Sequence, residues 1–214
     1  MKSITRQKPT EEIEQQLKGM ERVYIIGCGT CATMTKTGGR EEVLNMKERL
    51  QGLGKMVTGW SVIPTACDEM TEASLKEISG TIKSADCILV MSCAVGTQKI
   101  GSYIAKPVIP AVDTLFIGVE DGVGCFHEVC AQCGKCVLGY TAAICPITAC
   151  HKGLLNGPCG GTNNGKCEID KERDCAWTLI YQRLKEQGRL NLMKKYQPIR
   201  NSQVMPRPRI VKIS

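Results

Sequence analysis

The first half of the chain alternates short apolar runs with amphipathic segments. The apolar runs are the lengths of strands, and the segments between them repeat their apolar residues at helical spacing. The predicted strands are residues 23–27, 55–63, 87–91 and 114–117. The predicted helices are residues 11–18, 41–51 and 72–84, with a short one near Gly101. This alternation predicts an α/β domain over residues 1–118, with an open parallel, Rossmann-like sheet of four or more strands.

The second half has a different pattern. Residues 125–175 hold nine of the fourteen cysteines, are rich in glycine and contain few large apolar side chains. So little apolar mass cannot form a core without a cross-link, which predicts an irregular cysteine-rich metal-cluster domain over residues 119–195. A helix over 176–187, with its apolar positions on one face, is expected to pack on the metal-bound loops. Residues 196–214 are basic and proline-containing, and predict an extended tail, either frayed or lying on a partner.

The cysteines are expected to be free thiols or metal ligands. Disulfides need an oxidising compartment, and the opening residues M-K-S-I-T-R-Q-K lack the apolar run of a secretory signal. We therefore expect a cytoplasmic protein. No apolar stretch approaches the roughly 18 residues of a membrane span.

The densest motif is a C-x-x-C-x-x-C run followed by a Cys-Pro pair. We call its four thiols the central set: Cys130, Cys133, Cys136 and Cys145. Three thiolates at this pitch with a remote Cys-Pro are typical of [4Fe-4S] ligation, as in bacterial ferredoxins. Zinc, which prefers paired C-x-x-C knuckles or Cys/His sets, stays open as the alternative.

Four more cysteines follow the predicted parallel strands of the α/β domain. Because the carboxyl ends of parallel strands meet at one edge, three loops are expected to bring these thiols together. We call them the sheet-edge set: Cys28, Cys31, Cys67 and Cys93. Four thiols are what one cubane needs. Cys87 begins an apolar strand instead and is expected to be a core residue.

The first of these loops has two other interpretations. Residues 27–32, G-C-G-T-C-A, satisfy the G-x-G-x-x-A pattern of a dinucleotide-binding turn, with Asp68 as the acid that would bind a ribose. Cys28 and Cys31 could also form a dithiol redox pair. The dithiol interpretation leaves Cys67 and Cys93 without a role.

The motifs that carry a resemblance to a known family begin at Cys145. The run C-P-I-T-A-C-H-K-G-L-L-N-G-P-C-G-G (residues 145–161), then G-K-C-E-I (165–169) and D-C-A-W (174–177), resembles the methylenetetrahydrofolate reductase C-terminal family. The similarity is to the small iron-sulfur subunit that partners a catalytic flavoprotein in anaerobes. It covers roughly residues 125–191, and the α/β half fits the same subunit more loosely.

This resemblance implies an electron-transfer subunit that is not catalytic alone. The partner flavoprotein would reduce methylenetetrahydrofolate in one-carbon metabolism of the Wood-Ljungdahl type. A chain of 214 residues is too short for an eight-stranded barrel beside its cysteine domain, so no flavin is expected in it. A further electron-donor subunit is possible under this interpretation, and a zinc-binding structural subunit of the same complex is the alternative.

Two or three [4Fe-4S] clusters are expected, with zinc at one site as an open variant. Besides the sheet-edge and central sets, we assign a C-terminal set: Cys150, Cys159, Cys167 and Cys175. Cys125 is left over, and His127 and His151 are expected to be surface groups or donors to the ligands. The formal net charge of +7 counts thiols as neutral, whereas each oxidised four-thiolate cubane carries about −2. Basicity therefore does not indicate a nucleic-acid partner.

Overall fold

The computed structural model describes residues 2–200. The chain divides into two compact units, Met1–His127 and Glu128–Ser214. The domain limits given above, 1–118, 119–195 and 196–214, stay predictions, and most of the predicted tail lies outside the described residues.

The first unit is mixed α/β, which confirms the coarse fold class. Its central sheet has four parallel strands in the order β3-β2-β4-β5. The elements that begin in this unit are β1 (Lys2–Gln7), α1 (Thr10–Gln16), β2 (Arg22–Cys28), α2 (Cys31–Met34), α3 (Arg40–Gly52), β3 (Met56–Ile63), α4 (Thr71–Glu77), α5 (Ser79–Ile82), β4 (Cys87–Met91), α6 (Ala94–Gly101), β5 (Val108–Pro110), β6 (Val112–Glu120) and β7 (Phe126–Glu128).

Both faces of the parallel sheet are covered by helices. Alternate residues of β2 point to opposite faces, so Val23 and Ile25 join one core cluster while Tyr24 and Ile26 join the other. The first cluster includes residues of α1 and α3, and the second includes residues of α4, α5 and α6. Strands buried on both faces are continuous apolar runs, which is why they could be found in the sequence.

A second sheet is antiparallel, and its first strand was not predicted. It has the order β1-β6-β7, and β1 pairs with β6 from Lys2 to Gln7. The lead-in before residue 20 therefore contains a strand as well as the predicted helix. The apolar run at 114–117 is part of β6 and lies in this sheet, so placing it in the parallel sheet was wrong.

The passage assigned to a linker also contains regular structure. Residues 108–110 form β5, the edge strand that pairs with β4 through Ile88 and Val108. Prolines at 107 and 110 made the segment look like a linker, but an edge strand tolerates proline because one row of its N–H groups needs no partner. The helix predicted over 72–84 is two shorter ones, α4 and α5.

The second unit has little regular structure. It contains α7 (Pro146–Ala149), α8 (Ala176–Glu186) and two 3₁₀ turns, Leu138–Tyr140 and Leu190–Lys194. Its buried cluster consists of Ala142, Trp177, Ile180 and Leu184. Three of these four come from α8, so the helix predicted over 176–187 exists and supplies most of the small core. Among residues 2–200, no helix has both the length and the apolar character needed to cross a membrane.

Candidate metal centres

The sheet-edge set lines one cavity of about 220 Å³ in the first unit. Cys28 is the last residue of β2, and Cys93 precedes the first residue of α6 after β4. The register pairs Cys28 with Ile63 and Gly27 with Met91, so the three strands end side by side. The structure therefore brings together the four thiols that the strand order predicts. Ligation of a metal by them stays a prediction.

Close packing of α6 draws two of these loops together. A Cβ on Gly96 would lie 2.2 Å from the Ser92 Oγ and 2.7 Å from the Cβ of Ala66. Only a glycine lets the first turn of α6 approach the loop that carries Cys67. The N–H of Ala94, at the start of the helix, donates to the Thr114 Oγ1 at 2.8 Å.

Cys67 is affected electrostatically by the other three thiols of the sheet-edge set. Burial, followed by the neighbouring thiols of Cys93, Cys28 and Cys31, raises the pKa of the Cys67 thiol above its ordinary value. The neutral form of the Cys67 thiol is thus favoured relative to an ordinary cysteine while no cation is present. A bound metal ion reverses this preference, because it stabilises thiolates and releases their protons.

The glycines of the first loop are explained by packing against protein. A Cβ on Gly27 would lie 2.5 Å from the Gly38 carbonyl oxygen, and one on Gly29 would lie 2.9 Å from the Pro64 carbonyl oxygen. In a dinucleotide-binding turn the second glycine makes room for a pyrophosphate on a long helix. Here that space holds backbone, and α2 has four residues. This arrangement disfavours the nucleotide interpretation.

The central set lines a separate cavity of about 190 Å³ in the second unit. Left-handed backbone at Gln132 (φ 51°) and Gly134 (φ 74°) bends the C-x-x-C-x-x-C run around this cavity. The bend lets the Gln132 N–H donate to the Cys130 Sγ at 3.4 Å. Cys145 caps α7 with Pro146 at the first helical position, where a missing N–H costs nothing.

One basic residue influences this set. Burial alone would raise the pKa of the Cys133 thiol, but the Arg200 guanidinium beside it and the backbone at Lys135 hold that pKa below its ordinary value. The thiolate, which is the form that binds metals, is therefore more accessible at Cys133 than at an ordinary cysteine.

The C-terminal set lines a third cavity, which is much smaller at about 20 Å³. Two backbone hydrogen bonds bring Cys167 and Cys175 towards each other: Cys167 N–H donates to the Arg173 carbonyl at 2.9 Å, and Cys175 N–H donates to the Gly165 carbonyl at 2.7 Å. A Cβ on Gly161 would lie 1.2 Å from the Glu168 Oε2, so the Glu168 side chain would have to move to accommodate a larger residue there. This loop carries Cys159, whose Sγ accepts the Gly161 N–H at 3.4 Å.

Cys175 lies at the N-terminus of α8, the longest helix of its unit. Burial would raise its pKa, but the backbone N–H and hydroxyl of Thr178, together with the N–H of Trp177, lower the pKa below its ordinary value. These N–H groups have no intrahelical acceptor, and the helix dipole adds to their effect on a negative sulfur. Trp177 also lines this cavity and donates its Nε1–H to the Leu154 carbonyl at 3.0 Å.

The remaining cysteines and both histidines lie outside the three cavity linings within the described range. Cys87 is fully buried in β4, as predicted for a core residue, and burial raises its pKa to about 11. Cys125 is exposed, with its Sγ 3.3 Å from the His127 Nε2. The Nε2 of His151 lies 3.7 Å from a carboxylate oxygen of Asp170.

The twelve thiols have suitable chemistry for metal, although their donor atoms are not gathered at bonding distance. No three His, Cys, Asp or Glu side chains between residues 2 and 200 are arranged closely enough to hold an ion. All-thiol sets of four suit either an iron-sulfur cubane or tetrahedral zinc. The two larger cavities fit the bulkier group better than the third does. The residues therefore fit metal by donor type and by grouping, and metal binding itself would draw the donors inward.

One contribution to the sheet-edge cavity was missed in the sequence. Ser3 of β1 and Ile117 of β6 also line it. The antiparallel sheet therefore forms part of the wall. Its first strand, K-S-I-T-R-Q, is mostly polar, and only Ile4 and Thr5 are buried, so the sequence has no strong strand signal there.

Comparisons with known proteins agree with the second half of this description. A family described as methylene-tetrahydrofolate reductase C terminal matches residues 109–203. The match confirms the resemblance inferred from the cysteine motifs. It contains the whole central and C-terminal sets and excludes the sheet-edge set. No curated protein and no solved structure matched the chain.

This similarity suggests an association of the chain with methylenetetrahydrofolate reductase. The family description says nothing of metal, so the match does not identify what the thiols bind. The geometry of the cavities is therefore the basis for inferring what the three thiol sets bind. It is also the basis for inferring the role of the chain in the reductase.

Proposed function

We propose that this chain is an iron-sulfur electron-transfer subunit of a methylenetetrahydrofolate reductase complex. The observation that carries the proposal is the division of twelve cysteines into three groups of four, each lining its own cavity. Packing alone does not require cysteines to be grouped in fours, whereas a series of metal centres does. The family match supplies the reaction with which the subunit is associated.

In this proposal the carbon chemistry takes place on a partner. The described strands form a three-stranded and a four-stranded sheet and do not close an eight-stranded barrel. Among the described residues, no histidine lines any of the three thiol cavities. A catalytic flavoprotein subunit would therefore hold the folate and the flavin.

The residues of this chain would hold and insulate the redox centres. When bound, [4Fe-4S] clusters supply one-electron carriers whose potentials depend on burial and on hydrogen bonds to sulfur. Backbone N–H groups of Gln132 and Gly161 already donate to cysteine sulfurs. The nearly buried Cys28 and Cys93 would shield one side of the sheet-edge centre from water.

A second candidate, a zinc-binding structural subunit, is favoured by one observation. The C-terminal cavity of about 20 Å³ is roughly a tenth of the sheet-edge cavity. One ion fits that space with little loop movement, and four thiolates form a common structural zinc site. Zinc at this site alone is compatible with electron transfer through the other two. Zinc at all three sites would make the subunit a scaffold.

The test is anaerobic purification followed by metal analysis and electron transfer. If the chain transfers electrons, the purified protein should contain about four irons per occupied set, eight to twelve in all. It should be brown, and the colour should bleach with dithionite. The reduced chain should then reduce the flavin of the reductase flavoprotein in a stopped-flow experiment. A colourless, zinc-replete, iron-free protein would exclude this function and leave the structural one.

Replacement of Cys93 by Ala separates the candidates further. If the sheet-edge set carries electrons, the variant should still bind the flavoprotein but reduce its flavin much more slowly. A scaffold would show unchanged flavin reduction by the physiological donor.

A further inference from the structure

The last described residues lie along the cysteine-rich unit and are anchored there. The Asn156 side chain forms two hydrogen bonds with the backbone of Gln197: its Nδ2 donates to the Gln197 carbonyl at 2.9 Å, and its Oδ1 accepts the Gln197 N–H at 2.7 Å. Asn156 lies in the loop between Cys150 and Cys159. This pair fixes the chain three residues before Arg200.

Arg200 extends from this anchor to the central set. Its Nη2 donates to the carbonyl oxygen of Lys135 at 2.8 Å. Lys135 lies between Cys133 and Cys136 and lines the same cavity. The guanidinium is therefore held at the turn that carries two of the four central thiols.

The guanidinium has one donor left over. Its Nε is buried, and no partner for it occurs among residues 2–200. A buried N–H without an acceptor is destabilising, so the arrangement calls for an acceptor. A negatively charged group on the adjacent thiols would provide that acceptor.

The charge on this side chain is permanent. A guanidinium stays protonated at any pH at which the protein folds, unlike the thiols beside it. Four thiolates and their metal carry net negative charge, and reduction adds one more electron. A fixed positive charge close by stabilises the reduced form more than the oxidised form, and the effect decreases as water and salt screen the charge.

We propose that Arg200 is a positioning residue that raises the reduction potential of the redox group bound by the central set. The inference rests on the proposed function, since it requires iron at that set. Arg200 contacts neither folate nor flavin in this account. It acts through the charge that it holds beside Cys133 and Lys135.

The test is a redox titration of the anaerobically purified full chain, followed by electron paramagnetic resonance. Arg200→Gln removes the charge, and Arg200→Lys keeps it. Arg183→Gln is the matched control, because Arg183 also donates to a backbone carbonyl of this unit, that of Ala142 at 3.2 Å, but Ala142, unlike Lys135, lines none of the thiol cavities.

We expect one midpoint potential to become more negative in Arg200→Gln and the others to stay in place. The reduced-to-oxidised ratio of that centre at fixed potential should fall about tenfold, equivalent to 59 mV for a one-electron couple. Arg200→Lys should retain most of the original potential, and Arg183→Gln should leave every potential unchanged.

Two results would overturn the inference. Unchanged potentials in Arg200→Gln would show that the charge has no influence, and equal shifts in the Gln and Lys variants would assign Arg200 a purely structural role. The iron count of Cys133→Ala separates this failure from a failure of the proposed function. A loss of about four irons establishes the central cluster, whereas an unchanged count removes the basis of both proposals.

Discussion

The two units of this chain hold their thiols in opposite ways. In the first, a parallel sheet with core clusters on both faces brings Cys28, Cys67 and Cys93 to one edge. In the second, eight cysteines lie on loops and helix ends around a buried cluster of four residues. In the first unit the hydrophobic core holds the sheet-edge set in place. In the second unit the central and C-terminal sets would, once metal is bound, have to stabilise the fold that carries them.

Because of this difference, we expect the fold to depend on bound metal in one unit and not in the other. A single small core in a unit of fewer than about 80 residues rarely supplies more than 3–5 kcal/mol, and the described part of the second unit is of that size. The first unit needs no such addition. Metal should therefore be an accessory in one unit and a structural requirement in the other.

The largest expected effect is that of metal removal. An anaerobic chelator should unfold residues 128–200 and leave the parallel sheet intact, because only the second unit lacks an adequate core. Hydrogen exchange measured by mass spectrometry would show lost protection in α8 and retained protection in β2 and β4. Equal loss of protection in both units, or none in either, would contradict the comparison.

A matched pair of cysteines on β4 is expected to differ in metal content. Cys87 begins the strand and Cys93 follows its end, and both are buried. Cys93→Ala should lose the metal of one set, about four irons if it is a cubane, while Cys87→Ala should lose none. Metal analysis of the two purified variants makes this comparison. Equal metal content in both would remove Cys93 from the proposed ligands.

Truncation of a core side chain should have different consequences in the two units. Leu89→Ala in β4 and Leu184→Ala in α8 each remove a fully buried leucine and should each cost about 2–5 kcal/mol. The first unit, with its large core, should stay folded after this loss of stability. In the second unit the loss is comparable to the whole stability that the small core supplies. We expect Leu184→Ala to bind less metal at the central and C-terminal sets, while Leu89→Ala lowers only the stability of the first unit.

Denaturant titrations that follow each unit separately, combined with metal analysis, would check this. Unchanged distal metal content in Leu184→Ala would show that the thiol sites do not depend on α8.

The smallest expected effect is a pH dependence of the first unit. Burial raises the pKa of Cys87 to about 11 from its ordinary value of 9.0. The unfolded thiol ionises first as the pH rises, so the stabilisation is complete below pH 9 and is lost between about pH 9 and 11. The difference amounts to about 2–3 kcal/mol at most.

Urea titrations from pH 8 to 11 would measure this loss. Cys87→Ala should show a shallower decline than the parent chain, and Cys125→Ala, which replaces an exposed thiol, should decline like the parent. Parallel declines in all three proteins would contradict the assignment.

The elements that could be predicted are those whose signal is local. Residues 87–91 were predicted as the strand that the structure has, because five buried apolar residues in a row identify it. The strand order then places Cys28, Cys31, Cys67 and Cys93 together without any knowledge of side chains. By contrast, β1 is mostly polar and pairs with β6, more than a hundred residues away, so nothing nearby in the sequence marks it.

The same division applies to the sites. Spacing alone grouped Cys130, Cys133 and Cys136, and the structure places them on one cavity with Cys145. The proximity of Arg200 to Cys133 could not be predicted, because it depends on a hydrogen-bonded anchor at Asn156. The small volume of the C-terminal cavity, which Trp177 also lines, could not be predicted either, because it depends on tertiary packing.

The most direct test of the central claim is diffraction from anaerobically grown crystals at wavelengths on either side of the iron absorption edge. The account predicts anomalous iron peaks at the sheet-edge and central sets, and either iron or zinc at the C-terminal set. Absence of iron from all three groups of thiols would contradict it.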